Sequence, residues 1–217
     1  MRTQRLALPL LAWASLVLTA SVTASAGEYN PVLSIGDTAP AWKNLPGVDG
    51  KKHSLADLKD KQAIVLVFTC NSCPYAVDYE ARIMAFAKKH AGPKSQVALV
   101  AINVNKVEED LLPAMKKRAK AKGFNFPYLY DESQAVAKAY RAACTPDFFL
   151  FDKSGKLYYR GQFDDSRPDN GIAVTGADLT GAVESMLGDK PAPESQTPSI
   201  GCNIKWKPGN EPDYFSA

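Results

Sequence analysis

Three stretches of the chain are apolar at nearly every position: residues 63–69, 96–104 and 147–151. A strand that is apolar on both faces lies inside a sheet covered on both sides, as parallel and mixed sheets are. Between and after these stretches the pattern changes to helical spacing. Ala76, Tyr79, Ile83, Phe86 and Ala87 fall on one face of a segment that starts at Pro74, while Asp78, Glu80, Arg82, Lys88 and Lys89 fall elsewhere, in solvent. Residues 108–122 predict a second helix, with Pro113 in its first turn and Gly123 ending it. Residues 128–130 predict a short strand, and Ser133 a cap for a third helix over 134–142. A turn at Lys153-Ser154-Gly155 returns the chain as a strand over 156–163, and a last helix over 178–187 stops at Gly188. Ahead of the first buried strand, residues 42–45 and 51–54 predict a small hairpin, and Ser54 a cap for a short helix over 55–59. The βα alternation implies a parallel pair joined by a right-handed crossover, and the hairpin adds antiparallel strands. The fold class is therefore α/β, with a mixed central sheet and helices on both faces.

The first 26 residues stand apart from this pattern. Arg2 and Arg5 precede an apolar run over 6–18, and Ala24-Ser25-Ala26 follows as a small-residue site, which is the order of a secretory signal peptide. Residues 1–26 are expected to be removed, residues 27–189 to form one domain, and residues 190–217 to be a Pro-rich linker and tail. Removal takes two of the 26 basic residues against 23 acidic ones, so the formal charge falls from +3 to about +1. Charge then says little about partners, and an exported chain has no call on nucleic acid. The Lys116 to Lys122 cluster reads as a solvated helix face. No membrane association is expected after signal cleavage, and the expected location is the periplasm or the exterior, where disulfides persist.

Candidate chemistry is concentrated where the first buried strand meets the first helix, at Cys70-Asn71-Ser72-Cys73-Pro74. A C-x-x-C at a helix start meets unpaired amides and the positive end of the helix dipole, both of which favour the thiolate. Cys70, the first of the pair, is expected to be exposed and to attack a disulfide, with Cys73 resolving the mixed disulfide one turn further on. The alternatives are a structural disulfide or half of a metal site. Zinc would need a second ligand pair that the sequence lacks, and a c-type haem would need histidine where Pro74 stands. His53 and His90 are isolated. Copper bound by the two thiolates is the alternative of a different class. No cofactor is implied.

Four segments, in this order, resemble the redoxin branch of the thioredoxin-fold superfamily: the alkyl hydroperoxide reductase and thiol-specific antioxidant proteins and their peroxiredoxin-like relatives. They are Ile35-Gly36-Asp37-Thr38-Ala39-Pro40, Ser54-Leu55-Ala56-Asp57-Leu58-Lys59, Phe68-Thr69-Cys70-Asn71-Ser72-Cys73-Pro74 and Thr145-Pro146-Asp147-Phe148-Phe149-Leu150-Phe151-Asp152. The resemblance implies a thioredoxin-like three-layer fold, catalytic Cys70 and Cys73, and a cis bond at Thr145-Pro146 that opens a substrate groove. It implies a disulfide or peroxide substrate and a thiol electron donor. One departure matters. Peroxidatic sites of the family follow P-x-x-x-T-x-x-C. The threonine position holds Cys70 when the pattern is set on Cys73, and Val67 when it is set on Cys70. The missing hydroxyl favours dithiol chemistry over peroxide reduction.

Two further cysteines are candidate auxiliary redox groups. Cys144 precedes the Thr-Pro pair, where it is a buried small hydrophobe, a partner for exchange with the C-x-x-C, or a partner of Cys202. Cys202 lies in a tail, Gly201-Cys202-Asn203-Ile204-Lys205-Trp206-Lys207, resembling the ending of some peroxiredoxin-like proteins. There it either resolves or pins the tail, with Trp206 as an apolar anchor. No carboxylate stands out as a proton acceptor in the strand before the site. Arg160 is either a surface strand residue or the cation near the thiolate.

Overall fold

The structure, a computed structural model, describes residues 33–216. The signal-peptide reading lies outside the described residues. A hairpin of β1 (Leu45–Pro46) and β2 (Lys52–His53) leads into a central sheet of β3 (Ala63–Phe68), β4 (Val97–Asn103), β5 (Tyr128–Tyr130), β7 (Asp147–Asp152) and β8 (Leu157–Gly161). Its order is β5-β4-β3-β7-β8. β3, β4 and β5 are parallel, and β7 and β8 run antiparallel to their neighbours. The helices are α1 (Pro74–His90), α2 (Leu112–Lys122), α3 (Ala135–Tyr140) and α4 (Ala177–Leu187). A separate two-residue strand, β6 (Cys144–Thr145), pairs with β9 (Cys202–Asn203) from the tail.

The alternation along β3 divides the core. Ala63, Val65 and Val67 face α1, α2 and α4, packed with Tyr79, Ile83, Phe86, Met115, Leu179 and Val183. Ile64, Leu66 and Phe68 face the other way, onto Tyr140 of α3, Trp42 of the leading arm and Ile204 and Trp206 of the tail. The expected mixed sheet with helices on both faces is what forms, and one of the two outer layers is built partly from the two ends of the described chain.

Several boundaries differ from the sequence pattern, for identifiable reasons. The second helix does not start at Glu108. Glu108–Asp110 is a single 3-10 turn, Leu111 is extended at ψ 156, and α2 starts at Leu112. Asp110 is drawn fully into the core, which breaks the helix there. At α3, Asp131 shares the capping with Ser133: Val136 N–H donates to Asp131 Oδ2 (2.8 Å) and Ala135 N–H to Ser133 Oγ (3.2 Å). Glu80, expected in solvent, is buried and paired with Arg118 of α2. Arg82 is also buried, between Asp78 and Asp164 and over the ring of Tyr79. Residues 190–198, expected to be a tether, lie along β8. Gln162 N–H donates to Thr197 O (2.9 Å), and Arg160 N–H to Gln196 Oε1 (2.7 Å). That covers an edge strand that would otherwise present unpaired amides.

Gly123 does end α2, in the left-handed region at φ 70. Gly123→Ala is expected to cost about 1 kcal/mol, because a Cβ is disfavoured at that φ. A urea melt with an unchanged midpoint would argue against this.

Candidate active site

Strand register builds the site. Phe68 of β3 pairs with Asp147 of β7, so the two residues after Phe68 and the two before Asp147 meet beyond the same end of the sheet. Phe68 also pairs with Ile102 of β4, which brings the residues after β4 to that end. The carboxyl ends of parallel strands are where such folds place their ligands.

Cys70 Sγ lies 3.2 Å from Thr145 Oγ1, and Cys73 Sγ lies 3.2 Å from the Thr145 carbonyl oxygen, to which its thiol donates when protonated. The Thr145-Pro146 peptide is cis, as the resemblance implied. All four cysteines are free thiols. Cys70, Cys73, Thr145 and Pro146 are therefore one constellation, assembled across 75 residues of sequence.

One expectation about the pair needs correction. Cys70 is not exposed: it is 2% accessible and Cys73 3%. The helix starts at Pro74, where the apolar spacing placed it. Cys73 is the N-cap residue of α1 and Pro74 its first residue, so the electropositive helix end lies nearer the second cysteine than the first. The two thiols are polarised accordingly. The hydrogen bond from Cys70 draws the Cys73 pKa well below the ordinary thiol value, and the Cys202 side chain and the backbone amides of Ala76 and Cys202 act in the same direction against the opposing effect of burial. The same bond to Cys73 pushes Cys70 up, and burial and the Asp110 carboxylate add to it. These influences favour the thiolate at Cys73 over the thiolate at Cys70.

Asp110 is the site residue that the sequence pattern missed. Its Oδ1 accepts from the amides of Asn71 (2.5 Å) and Ser72 (3.2 Å) and from Asn103 Nδ2 (3.2 Å). Its Oδ2 accepts from Ser72 Oγ (2.5 Å) and Asn105 Nδ2 (2.9 Å). A carboxylate after β4 thus holds the two residues between the cysteines and spends amides that would otherwise be free to face a sulfur. The Asn71 side chain completes the clamp, donating to Glu109 O (2.6 Å) and accepting from Tyr128 Oη (3.1 Å). The usable sequence signal was the polar pair Asn103 and Asn105 at the end of an otherwise apolar strand.

The other candidates fall in different places. Cys144 is buried, its thiol donates to Pro146 O (3.5 Å), and burial first and Asp147 second push its pKa well up. Arg160 bonds Asp147 and the Arg141 carbonyl, and its field reaches Cys144. Cys202 is half-buried and packs against Cys70, Cys73 and Ala76. Register separates it from Cys144: Thr145 pairs with Cys202 and Cys144 with Asn203, so Cys202 shares the face of Thr145 and Cys144 points the other way. Among the described residues, no group of three or more His, Cys, Asp or Glu is placed to hold a metal ion, and no helix is long and apolar enough to cross a membrane.

Comparison with known proteins agrees with this architecture. The crystal structure of an uncharacterized conserved protein from Geobacillus kaustophilus is 49% identical, with a TM-score of 0.76, covering 80% of this chain and 93% of that one. A thiol:disulfide interchange protein of the thioredoxin family from Chlorobium tepidum TLS is 25% identical, with a TM-score of 0.54, covering 70% of this chain and 97% of that one. The thiol-disulfide oxidoreductase ResA of Geobacillus thermodenitrificans is 27% identical over 127 residues, 58% of this chain and 67% of its own. Residues 35–160, more than half of the chain, match the AhpC/TSA family, and with the sheet order, the dithiol loop and the cis proline already in place, the chain belongs to that family.

Proposed function

We propose that the chain is a thiol–disulfide oxidoreductase working outside the cytoplasm, in which Cys73 attacks and Cys70 resolves. Oxidoreductase chemistry on thiols is supported by the family and by the two named relatives. The observation that carries the order of attack is the placement of Cys73, not Cys70, at the start of α1. The Cys73 thiolate attacks one sulfur of a substrate disulfide and forms a mixed disulfide, releasing the other substrate sulfur as a thiolate. Cys70 then attacks Cys73 Sγ, closing the Cys70–Cys73 disulfide and releasing the second substrate thiol. Loss of the proton from Cys70 is the demanding part of that step, because burial and Asp110 both oppose a second negative charge. An external thiol donor returns the pair to the reduced state.

The direct test mixes the reduced chain with a model protein disulfide and maps the products by peptide mass. Substrate thiols should appear in step with a Cys70–Cys73 disulfide. Substrate left intact beside a fully reduced pair would refute the proposal. A stopped-flow titration with hydrogen peroxide separates the related chemistry, since a sulfenate formed faster than any disulfide exchange would make the chain a peroxide reductase.

Export rests on the order of charge, apolar run and small residues over 1–26. Protein recovered from the periplasm or the medium is expected to begin at Gly27. An intact mass that retains residues 1–26 would contradict this.

A further inference from the structure

Both sulfurs of the pair are covered, and part of the cover is the chain's own tail. β9 pairs antiparallel with β6, with Cys202 opposite Thr145. Thr145 touches both site sulfurs, through its hydroxyl to Cys70 and its carbonyl to Cys73, each at 3.2 Å. Its cross-strand partner therefore lies over the dithiol, and Cys202 packs there against Cys70 and Cys73. An extended peptide pairing with a sheet edge is a general mode of peptide recognition. Here the edge beside the reacting atoms is already occupied, by a segment that carries a cysteine.

The fit is close. A Cβ on Gly201 would lie 2.1 Å from the Thr145 carbonyl oxygen and 2.6 Å from its carbon, so only glycine lets the backbone approach there. Beyond Cys202 the tail is anchored by the buried side chains of Ile204 and Trp206 and by main-chain bonds. Lys205 N–H donates to Asn105 Oδ1 (2.8 Å), and Lys106 N–H donates to Lys205 O (3.1 Å). Asn105 is also the residue that donates to Asp110, so the same carboxamide joins the tail to the carboxylate that holds the dithiol loop.

We infer that the tail is a built-in substrate: it occupies the groove that receives an extended peptide with a glycine before its cysteine, and Cys202 stands in the position of the substrate sulfur and exchanges with Cys73. The inference rests on the proposal that Cys73 is the attacking sulfur. After a turnover has left Cys70–Cys73 oxidised, the Cys202 thiolate attacks Cys73 Sγ. The Cys70–Cys73 bond breaks, the Cys73–Cys202 bond forms, and Cys70 leaves as a thiolate and takes up the proton that Cys202 gave up. No oxidant is consumed. The disulfide moves from two covered sulfurs to one that includes the half-buried Cys202, where an external thiol can reach it.

The full-length Cys70→Ser chain, equilibrated in oxidised and reduced glutathione, acid-quenched, alkylated and peptide-mapped, tests this. Cys73–Cys202 should exceed Cys73–glutathione about ten-fold or more at millimolar glutathione, because the docked tail supplies its thiol at high effective concentration. Adding Gly201→Val, which expels the tail from the groove, should reverse that ratio. Cys73–glutathione as the main product in both chains overturns the inference. The oxidised wild-type chain supplies a measurement that needs no substitution. A Cys73–Cys202 isomer should accompany Cys70–Cys73, and a map containing Cys70–Cys73 alone overturns the inference while leaving the proposed function standing. A wild-type map without Cys70–Cys73 refutes the proposed function itself.

Discussion

Cys73→Ser, made in a Cys202→Ser background so that only the pair is read, is expected to drop disulfide exchange to background, about a thousand-fold or more. Cys70→Ser in the same background should keep its first attack and accumulate a mixed disulfide with the substrate. The asymmetry follows from placement. Cys73 is the N-cap residue of α1 and accepts a hydrogen bond from the Cys70 thiol, whereas Cys70 is buried and opposed by the Asp110 carboxylate. Serine at position 70 still offers a donor, so Cys73 stays ionised in the variant. The pH profile gives the sign. A thiol at the ordinary value of about 8.5 would slow roughly 75-fold between about pH 8 and pH 6 as it protonates. A thiol with a depressed pKa stays ionised through that range, so the attack of Cys70→Ser should change by no more than about two-fold. The reverse pattern, with Cys73→Ser trapping substrate and Cys70→Ser inert, would return the attacking role to Cys70.

Asp110→Ala should be the most destabilising single change near the site, at about 3–5 kcal/mol. The side chain is fully buried and accepts five hydrogen bonds, two from backbone amides and three from side chains. Alanine removes the acceptor from the buried Asn71 amide and from Asn105 Nδ2, and from the part-buried Ser72 donors, while Asn103 Nδ2 keeps the Asp110 main-chain oxygen. Asp110→Asn should cost less, about 1–3 kcal/mol. Its retained oxygen still serves the Asn71 and Ser72 amides, but its new NH2 group meets that of Asn105. Asn105 cannot turn over freely, because its oxygen is committed to Lys205 N–H. Urea unfolding measures both. An Asp110→Ala chain within about 0.5 kcal/mol of wild type would show that the clamp contributes nothing. The Asn variant also removes the negative charge that opposes ionisation of Cys70, so the resolving step should quicken while the first attack does not.

What could be read from the sequence and what could not divide along physical lines. β3, β4 and β7 were legible because a strand covered on both faces must be apolar throughout, and α1 because its buried face repeats at helical spacing. The pair of cysteines was legible from its spacing at a helix start, and Thr145-Pro146 from the resemblance to the redoxin segment that carries a cis proline. The burial of Cys70 was not, since it depends on Thr145 and the tail, which reach the loop only in the folded chain. Asp110 was hidden in an acidic run that reads equally well as the first turn of a helix. Glu80 and Arg82 looked like surface charges because each finds its partner, Arg118 or Asp164, only after the chain has folded. The docking of residues 190–198 was illegible for the same reason. A Pro-rich polar segment looks mobile until an edge strand, here β8, offers it amides.

The second face of the sheet has a bearing on biosynthesis. Its packing brings together Leu33, Ala39 and Trp42 from near the beginning of the chain and Ile204 and Trp206 from near the end. A polypeptide that emerges amino terminus first cannot close this layer until residues 204–206 are free. Until then Ile64, Leu66, Phe68, Phe149 and Phe151 have only α3 and the leading arm as cover, and the part that Ile204 and Trp206 close stays open. The nascent protein therefore has a long interval in which a holding chaperone would find a target, and the dithiol stays uncovered for as long as that interval lasts.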